Sequence, residues 1–265
     1  MENLFSAFIL GIVEGVTEFL PVSSTGHLIL TNSLLGMQGE KIAAFDVIIQ
    51  LGAILAVVVL YRERFVALVR PRMDMRFSGV RGLWLLCLTS IPASVVGLIA
   101  HDAIKQYLFG PRTVALALFV GAIMILVVES MRRNERFLDL DDVTPFLAFG
   151  IGCFQCLALW PGFSRSASTI MGGMLLGTNR KLAAEYSFVA AVPIMCAATG
   201  YDFLKNYHLF SSNDLLFLAV GFGVSFVSAW AAVKFFIALL KRTTLRPFAY
   251  YRLILAPLVL IFWPN

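Results

Sequence analysis

The sequence predicts an all-α polytopic membrane protein, and three observations carry that reading. Hydrophobic residues make up 59% of the 265-residue chain and charged residues only 14%, too little charge to cover a soluble domain. Mean hydropathy is +0.84. Apolar runs at 47–61, 83–100, 114–128, 215–230 and 253–263 approach or reach the roughly 17–25 residues that span a bilayer once their flanks are counted. The alternating ten-residue strands of an outer-membrane barrel are missing.

Charge placement sets the expected topology. A net charge of +5 would by itself fit a nucleic-acid partner. Here most of the basic residues fall in short loops between apolar runs, the signature of membrane orientation, so no nucleic acid is expected. The first apolar run lacks a basic leader and carries Glu14 and Glu18, so no cleavable signal peptide is expected. Cys87, Cys153, Cys156 and Cys196 lie in apolar segments. The Cys153-x-x-Cys156 pair has no second pair or nearby histidine to complete a metal site, so all four are expected to be small buried hydrophobes.

Ten helical segments follow in order, at roughly 2–20, 24–36, 43–62, 82–100, 112–131, 145–160, 165–177, 182–204, 214–240 and 248–263. Pro21, Pro111 and Pro161 mark junctions, where proline breaks or starts a helix. Segments 24–36 and 165–177 are too short to cross a core of about 30 Å at about 1.5 Å per residue, so each pairs with its predecessor as a re-entrant hairpin. Arg62, Arg64, Arg70, Arg72, Arg76 and Arg81 crowd the third connection. Arg132, Arg133 and Arg136 follow the fifth segment, Arg180 and Lys181 the seventh, and Lys241, Arg242 and Arg246 the ninth. These loops are expected in the cytoplasm. The connections around 101–111 and 205–213 are basic-poor, with Lys105, Arg112 and Lys205.

A shift of 140 residues aligns Pro21 with Pro161, Ser24 with Ser164, Leu35 with Leu175, Lys41 with Lys181 and Tyr61 with Tyr201. The expectation is a gapless register and one integral membrane domain, 1–265. Its two repeats, about 1–131 and 145–265, each hold a re-entrant broken-helix pair and three transmembrane helices. Three spans after a hairpin invert the second repeat, which places a site near mid-membrane where the broken helices meet.

The stretch Glu14-Gly-Val-Thr-Glu18-Phe-Leu-Pro-Val-Ser-Ser-Thr-Gly-His27 sets ionisable groups among apolar flanks, where they are costly and functional by default. Glu14 and Glu18, four apart, share one helix face. Paired carboxylates there share a proton or bind a hard cation, Mg²⁺ or Ca²⁺. Gly11 and Gly15 admit a closely packed second helix. Ser23 or Ser24 serves as the cap of the next helix, and with Thr25 and Gly26 it forms an anion-binding start. His27 in that first turn is a candidate acid/base or nucleophile. The second break, Trp160-Pro-Gly-Phe-Ser-Arg-Ser166, supplies Arg165, a planar fork suited to phosphate, between Ser164 and Ser166, with Ser168 and Thr169 just beyond. Gln155 and Glu185 are further polar residues without an assigned role. His101 and His208 lie near the outer connections. Acids for a metal, hydroxyls, a histidine and a facing arginine define a phosphate site. With no loop domain to hold a soluble compound, the expected substrate is a phosphorylated lipid.

These motifs resemble the bacterial undecaprenyl-diphosphate phosphatase family, the one linked to bacitracin resistance. The resemblance rests on Glu14–His27 and Leu159–Ser166, on Phe45-Asp-Val-Ile-Ile-Gln-Leu-Gly-Ala-Ile-Leu-Ala-Val-Val58, on Gly152-Cys-Phe-Gln-Cys-Leu-Ala158, and on Glu185-Tyr-Ser-Phe-Val-Ala-Ala-Val-Pro193. It covers essentially the whole chain. One departure is Ala167-Ser168, where a glycine is expected after Ser166. The resemblance implies hydrolysis of the C55 isoprenoid diphosphate to the monophosphate and phosphate, which recycles the carrier used for peptidoglycan. It implies a divalent metal and an active site open to the periplasmic face of the bacterial inner membrane. By position, Glu14 and Glu18 hold the metal or activate the nucleophile, Ser24 and His27 are the two nucleophile candidates, and Arg165 holds the diphosphate. The expected partners are undecaprenyl diphosphate and membrane lipids, with a homodimer left open. The competing function is a transporter or flippase of a phosphorylated isoprenoid, prompted by the inverted repeat.

Overall fold

The computed structural model describes residues 3–108, 110–131 and 134–263, except for the side chain of Lys105. Arg132, Arg133 and the Lys105 side chain, counted above among the loop cations, therefore lie outside the described residues. The described residues form eleven α-helices. The first half holds α1 (Leu4–Thr17), α2 (Ser24–Leu34), α3 (Glu40–Leu60), α4 (Arg62–Val69), α5 (Gly79–Ala103) and α6 (Pro111–Ser130). The second holds α7 (Pro145–Gln155), α8 (Arg165–Leu175), α9 (Arg180–Asn206), α10 (Leu215–Leu240) and α11 (Arg246–Phe262).

Ten of the helices fall on the ten expected segments. The extra one, α4, lies in the arginine-rich connection. Its sequence Arg62-Glu-Arg-Phe-Val-Ala-Leu-Val69 buries Ala67 and Leu68, and a Cβ on Gly82 at the start of α5 would collide with Leu68. Reading that connection by its charge alone hides the apolar face. Five stretches are long and apolar enough to cross a membrane, at Glu40–Leu60, Gly79–Ala103, Pro111–Ser130, Arg180–Leu209 and Ser212–Leu240. Pro111 and Pro145 occupy the first turns of α6 and α7, where proline has no hydrogen bond to lose.

The short helices cannot span. α2 and α8 have 11 residues each, about 16 Å of rise. Their exits lie at opposite ends of the bundle. Lys41, just after α2, pairs with Asp214 at 2.8 Å, beyond the C-terminal end of α9. Arg180, just after α8, starts α9 and forks onto Glu129 at 2.9 and 2.6 Å. The 27 residues of α9, about 40 Å long, separate the two. Around Arg180, Phe137 pairs with Thr178 in an isolated parallel bridge, and the Leu245 N–H donates to Glu129.

Close helix packing uses small residues, as is usual where lipid offers no hydrophobic drive. A Cβ on Gly11 would sit 2.7 Å from the Gly221 carbonyl of α10, and Ser228 Oγ of α10 donates to the Gly11 carbonyl at 3.1 Å. Gly15 faces the same helix. Between the broken helices and α9–α11 lies an aromatic core. Phe19 meets Phe188 edge-on at 5.3 Å, Phe188 reaches Phe236, and Phe236 meets Phe248 at 5.2 Å.

The cysteine expectation needs correction. All four thiols are free, and Cys87, Cys153 and Cys196 are exposed on the outside of the bundle. Their apolar surroundings in sequence reflect outward-facing helix surface, not the protein interior.

Candidate active site

Each short helix starts at a strained serine. Among the described residues Ser23 (φ 72°) and Ser164 (φ 79°) are the non-glycine residues with positive φ, a conformation that costs roughly 1–3 kcal/mol. Both act as caps. Ser23 Oγ accepts from the Gly26 N–H at 3.4 Å, and Ser164 Oγ accepts from the Ala167 N–H at 3.2 Å. The first helical residues are therefore Ser24 and Arg165. This corrects the register. Across the breaks the structural offset is 141, not 140, so Ser24 matches Arg165 and Leu34 matches Leu175, while α3 and α9 start 140 apart. The second turn has one residue more before its cap, and Gly162 takes a φ of 93° there. Ala167 lies inside the first turn of α8 with no positive φ, so the missing family glycine is not needed for that backbone.

Glu18, in the turn after α1, joins the two breaks. Ser24 Oγ donates to Glu18 Oε2 at 2.5 Å, and Arg165 Nη2 reaches Glu18 Oε1 at 3.3 Å. Arg165 Nη1 donates to the Ser187 carbonyl of α9 at 3.0 Å, and its guanidinium lies 5.3 Å from the Phe19 ring centroid. Its buried Nε has no partner, so one donor of the fork stays available. Ser166 Oγ donates to the Leu20 carbonyl at 2.8 Å, a second link between the breaks.

A cavity of about 240 Å³ opens onto this junction, lined by Glu18, Ser23, Ser24, Thr25, Ser164 and Arg165. Gln50 and Gln155 complete its polar wall, and Ala93 of α5 with Ile194, Met195 and Ala198 of α9 form an apolar mouth. Beyond the mouth, Leu98, Ile99, Tyr201 and Leu204 are exposed, an apolar surface suited to lipid. Gln155, unassigned from sequence, donates to the Thr89 carbonyl at 3.4 Å and leaves its own Oε1 without a partner.

Four of the candidate residues lie off the cavity. Gly26 and Ser166 are buried beside it. Glu14 is fully buried one turn behind Glu18, and neither of its carboxylate oxygens has a partner. Among the described residues no three His, Cys, Asp or Glu side chains come together as a metal cage. The donors present are the two carboxylates Glu14 and Glu18, with two orphaned oxygens. Oxygen donors of this kind are the type a hard cation, Mg²⁺ or Ca²⁺, takes. His27 turns away from the cavity. Its Nδ1–H donates to the Ser23 carbonyl at 2.7 Å, and in the neutral ring Nε2 accepts from the Tyr251 hydroxyl at 2.7 Å. The two rings stack at 5.5 Å.

Sequence reasoning missed Arg252 of α11, which is fully buried. The signal was present, a permanent cation inside the apolar run 248–263.

Fold and site define the class, a helical membrane protein whose two broken helices meet at a centre of carboxylate, hydroxyl and arginine. The chain belongs to the family described as bacitracin resistance protein BacA, whose model matches residues 7–258. An undecaprenyl-diphosphatase of Maridesulfovibrio salexigens is 72% identical over 263 residues, covering 99% of this chain and 100% of that protein. A second, from Nitratidesulfovibrio vulgaris, is 66% identical with 99% of each covered. A third, from Lawsonia intracellularis, is 54% identical with 98% of each covered.

Proposed function

We propose that this protein hydrolyses undecaprenyl diphosphate to undecaprenyl phosphate and inorganic phosphate. The carrying observation is Glu18, shared at 2.5 and 3.3 Å between Ser24 and Arg165. Ser24 Oγ passes its proton to Glu18 and attacks the terminal phosphorus. The bond from that phosphorus to the bridging oxygen breaks, and the lipid monophosphate leaves. Arg165, freed from Glu18 by the incoming phosphate and using its unpartnered Nε, stabilises charge on the transferring group. Glu18 passes the Ser24 proton to the departing lipid phosphate, then takes one from the water that attacks the Ser24 phosphoester and returns it to Ser24 Oγ as phosphate leaves. Ser24 is favoured over His27 because it lines the cavity while both ring nitrogens of His27 have partners elsewhere. A divalent metal held by Glu14 and Glu18 would act as a Lewis acid on the phosphate oxygens.

On this reading the protein sits in the bacterial cytoplasmic membrane, with its site toward the periplasm. In support, the cavity lining on α9 runs from Ile194 to Ala198, and Ala198 lies about 12 Å from the basic-poor end of that helix. The apolar mouth between α5 and α9 supports sideways access for the lipid. The names of the relatives speak for hydrolysis, not transport. Phosphate release from undecaprenyl diphosphate by purified protein tests the reading, with Glu18→Ala and Arg165→Ala beside it. Near-wild-type turnover in both variants would overturn it.

A further inference from the structure

Arg252 is fully buried, and among the described residues its hydrogen bonds go to backbone carbonyls. Nε donates to Leu118 at 3.2 Å and Nη2 to Ala117 at 3.2 Å, both on α6. The rest of the fork reaches the two breaks, with Nη1 on the Pro21 carbonyl at 3.4 Å and Nη2 on the Gly162 carbonyl at 3.3 Å. Pro21 stands three residues before Ser24, and Gly162 three residues before Arg165. One guanidinium thus holds the same peptide in each break. Phe163 stacks near it at 5.9 Å, and Gly121 leaves the slot it fills, since a Cβ there would come within 2.8 Å of Cζ.

A buried cation with no carboxylate partner is expensive, and an uncharged side chain could fill the same space. What only a planar fork supplies is several donors in one plane at fixed separation. We infer that Arg252 is a positioning residue, which sets the spacing of the two helix breaks and so aligns Ser24 with Arg165 across the bound diphosphate. It touches neither substrate nor cavity and acts through the Pro21 and Gly162 peptides. Lysine, a point charge on a flexible stem, cannot hold both carbonyls and α6 together. A shift of about 1 Å between reacting groups costs on the order of 100-fold in rate.

The inference rests on the phosphatase reading, and phosphate release from undecaprenyl diphosphate by the unaltered protein checks that reading separately. The decisive variants are Arg252→Lys, which keeps the charge, and Gly121→Ala, which keeps the arginine but crowds its slot. With wild-type turnover established, each is expected to lower kcat about 10- to 100-fold and to leave KM within about threefold, in protein that elutes as wild type in detergent. If either variant folds and keeps wild-type kcat, or loses activity through KM alone, Arg252 does not set the alignment. If neither accumulates in the membrane, Arg252 is a folding residue and the inference is equally overturned.

Discussion

Ser24 and Arg165 occupy the same position in two different helices, each the first helical residue after a serine with positive φ. One position carries a hydroxyl and the other a permanent cation, and Glu18 accepts from both. In the proposed reaction, two matched starts with unlike side chains supply the attacking oxygen and the charge that receives the phosphate.

Ser24→Ala is expected to lower phosphate release by more than about 10³-fold, the scale of losing a nucleophile. Rapid quenching of wild-type protein with substrate labelled at the terminal phosphate is expected to leave acid-stable label on the Ser24 peptide. Acid-labile label on the His27 peptide instead would move the nucleophile.

Chelation by EDTA is expected to abolish turnover, and Mg²⁺ or Ca²⁺ to restore it. Glu14→Gln replaces one of two unpartnered oxygens with a donor, and is expected to raise the metal concentration for half-maximal rate about 10- to 100-fold. A metal-titration curve unchanged from wild type would remove Glu14 from that role.

At Ser164 two substitutions separate backbone from hydroxyl. Ser164→Gly relieves the positive φ and gives up only a few tenths of a kcal/mol in capping. Its thermal midpoint is expected at or above wild type while kcat/KM falls, because the cavity loses a hydroxyl. Ser164→Ala keeps the strain and loses the cap, so its midpoint is expected to drop. Equal midpoints for the two would show that the turn is unstrained.

Asp141 ties the 131–144 connection to the start of α5 and to α4, accepting from the Phe77 N–H at 2.6 Å and from Arg64 at 2.8 Å. Partial burial opposes its charge, but those donors outweigh it and hold the carboxyl below its ordinary range. A depressed carboxylate contributes stability that is fully present above the unfolded value near 4 and is lost as pH falls through the lower folded value. Asp141→Asn is expected to lower the thermal midpoint at pH 7 by about 2–4 °C, with the difference shrinking below about pH 4. A gap that keeps its full pH 7 size as the pH is lowered well below 4 would contradict the assignment.

Much of this architecture was legible because a membrane restricts it. Apolar run length and loop arginines place ten segments, and a run too short to cross must turn back. Glu18, Ser24 and Arg165 were legible because polar groups at that depth need a reason. The details lost were those that depend on a single residue or on direction. Gly162 shifts the register by one, which no match of Pro21 to Pro161 reveals. His27 follows Ser24 by three positions, yet its ring swings to Tyr251 on a helix 224 residues away. The apolar face of α4 is masked by its arginines. Arg252 lies inside the apolar run 248–263, and what it holds shows only in its carbonyl partners.

The cavity holds about 240 Å³, below the roughly 300–1,000 Å³ of sites that enclose a drug-sized ligand. In the proposed reaction it has room for a headgroup and none for a C55 tail, which then stays in the bilayer beyond the mouth at Ala93 and Ala198. The enzyme therefore need not extract its substrate, and the concentration it senses is two-dimensional. Diluting the lipid with inert phospholipid at constant bulk amount should slow the reaction, while diluting whole vesicles with buffer should not. Isoprene units beyond the first few should matter little to the rate.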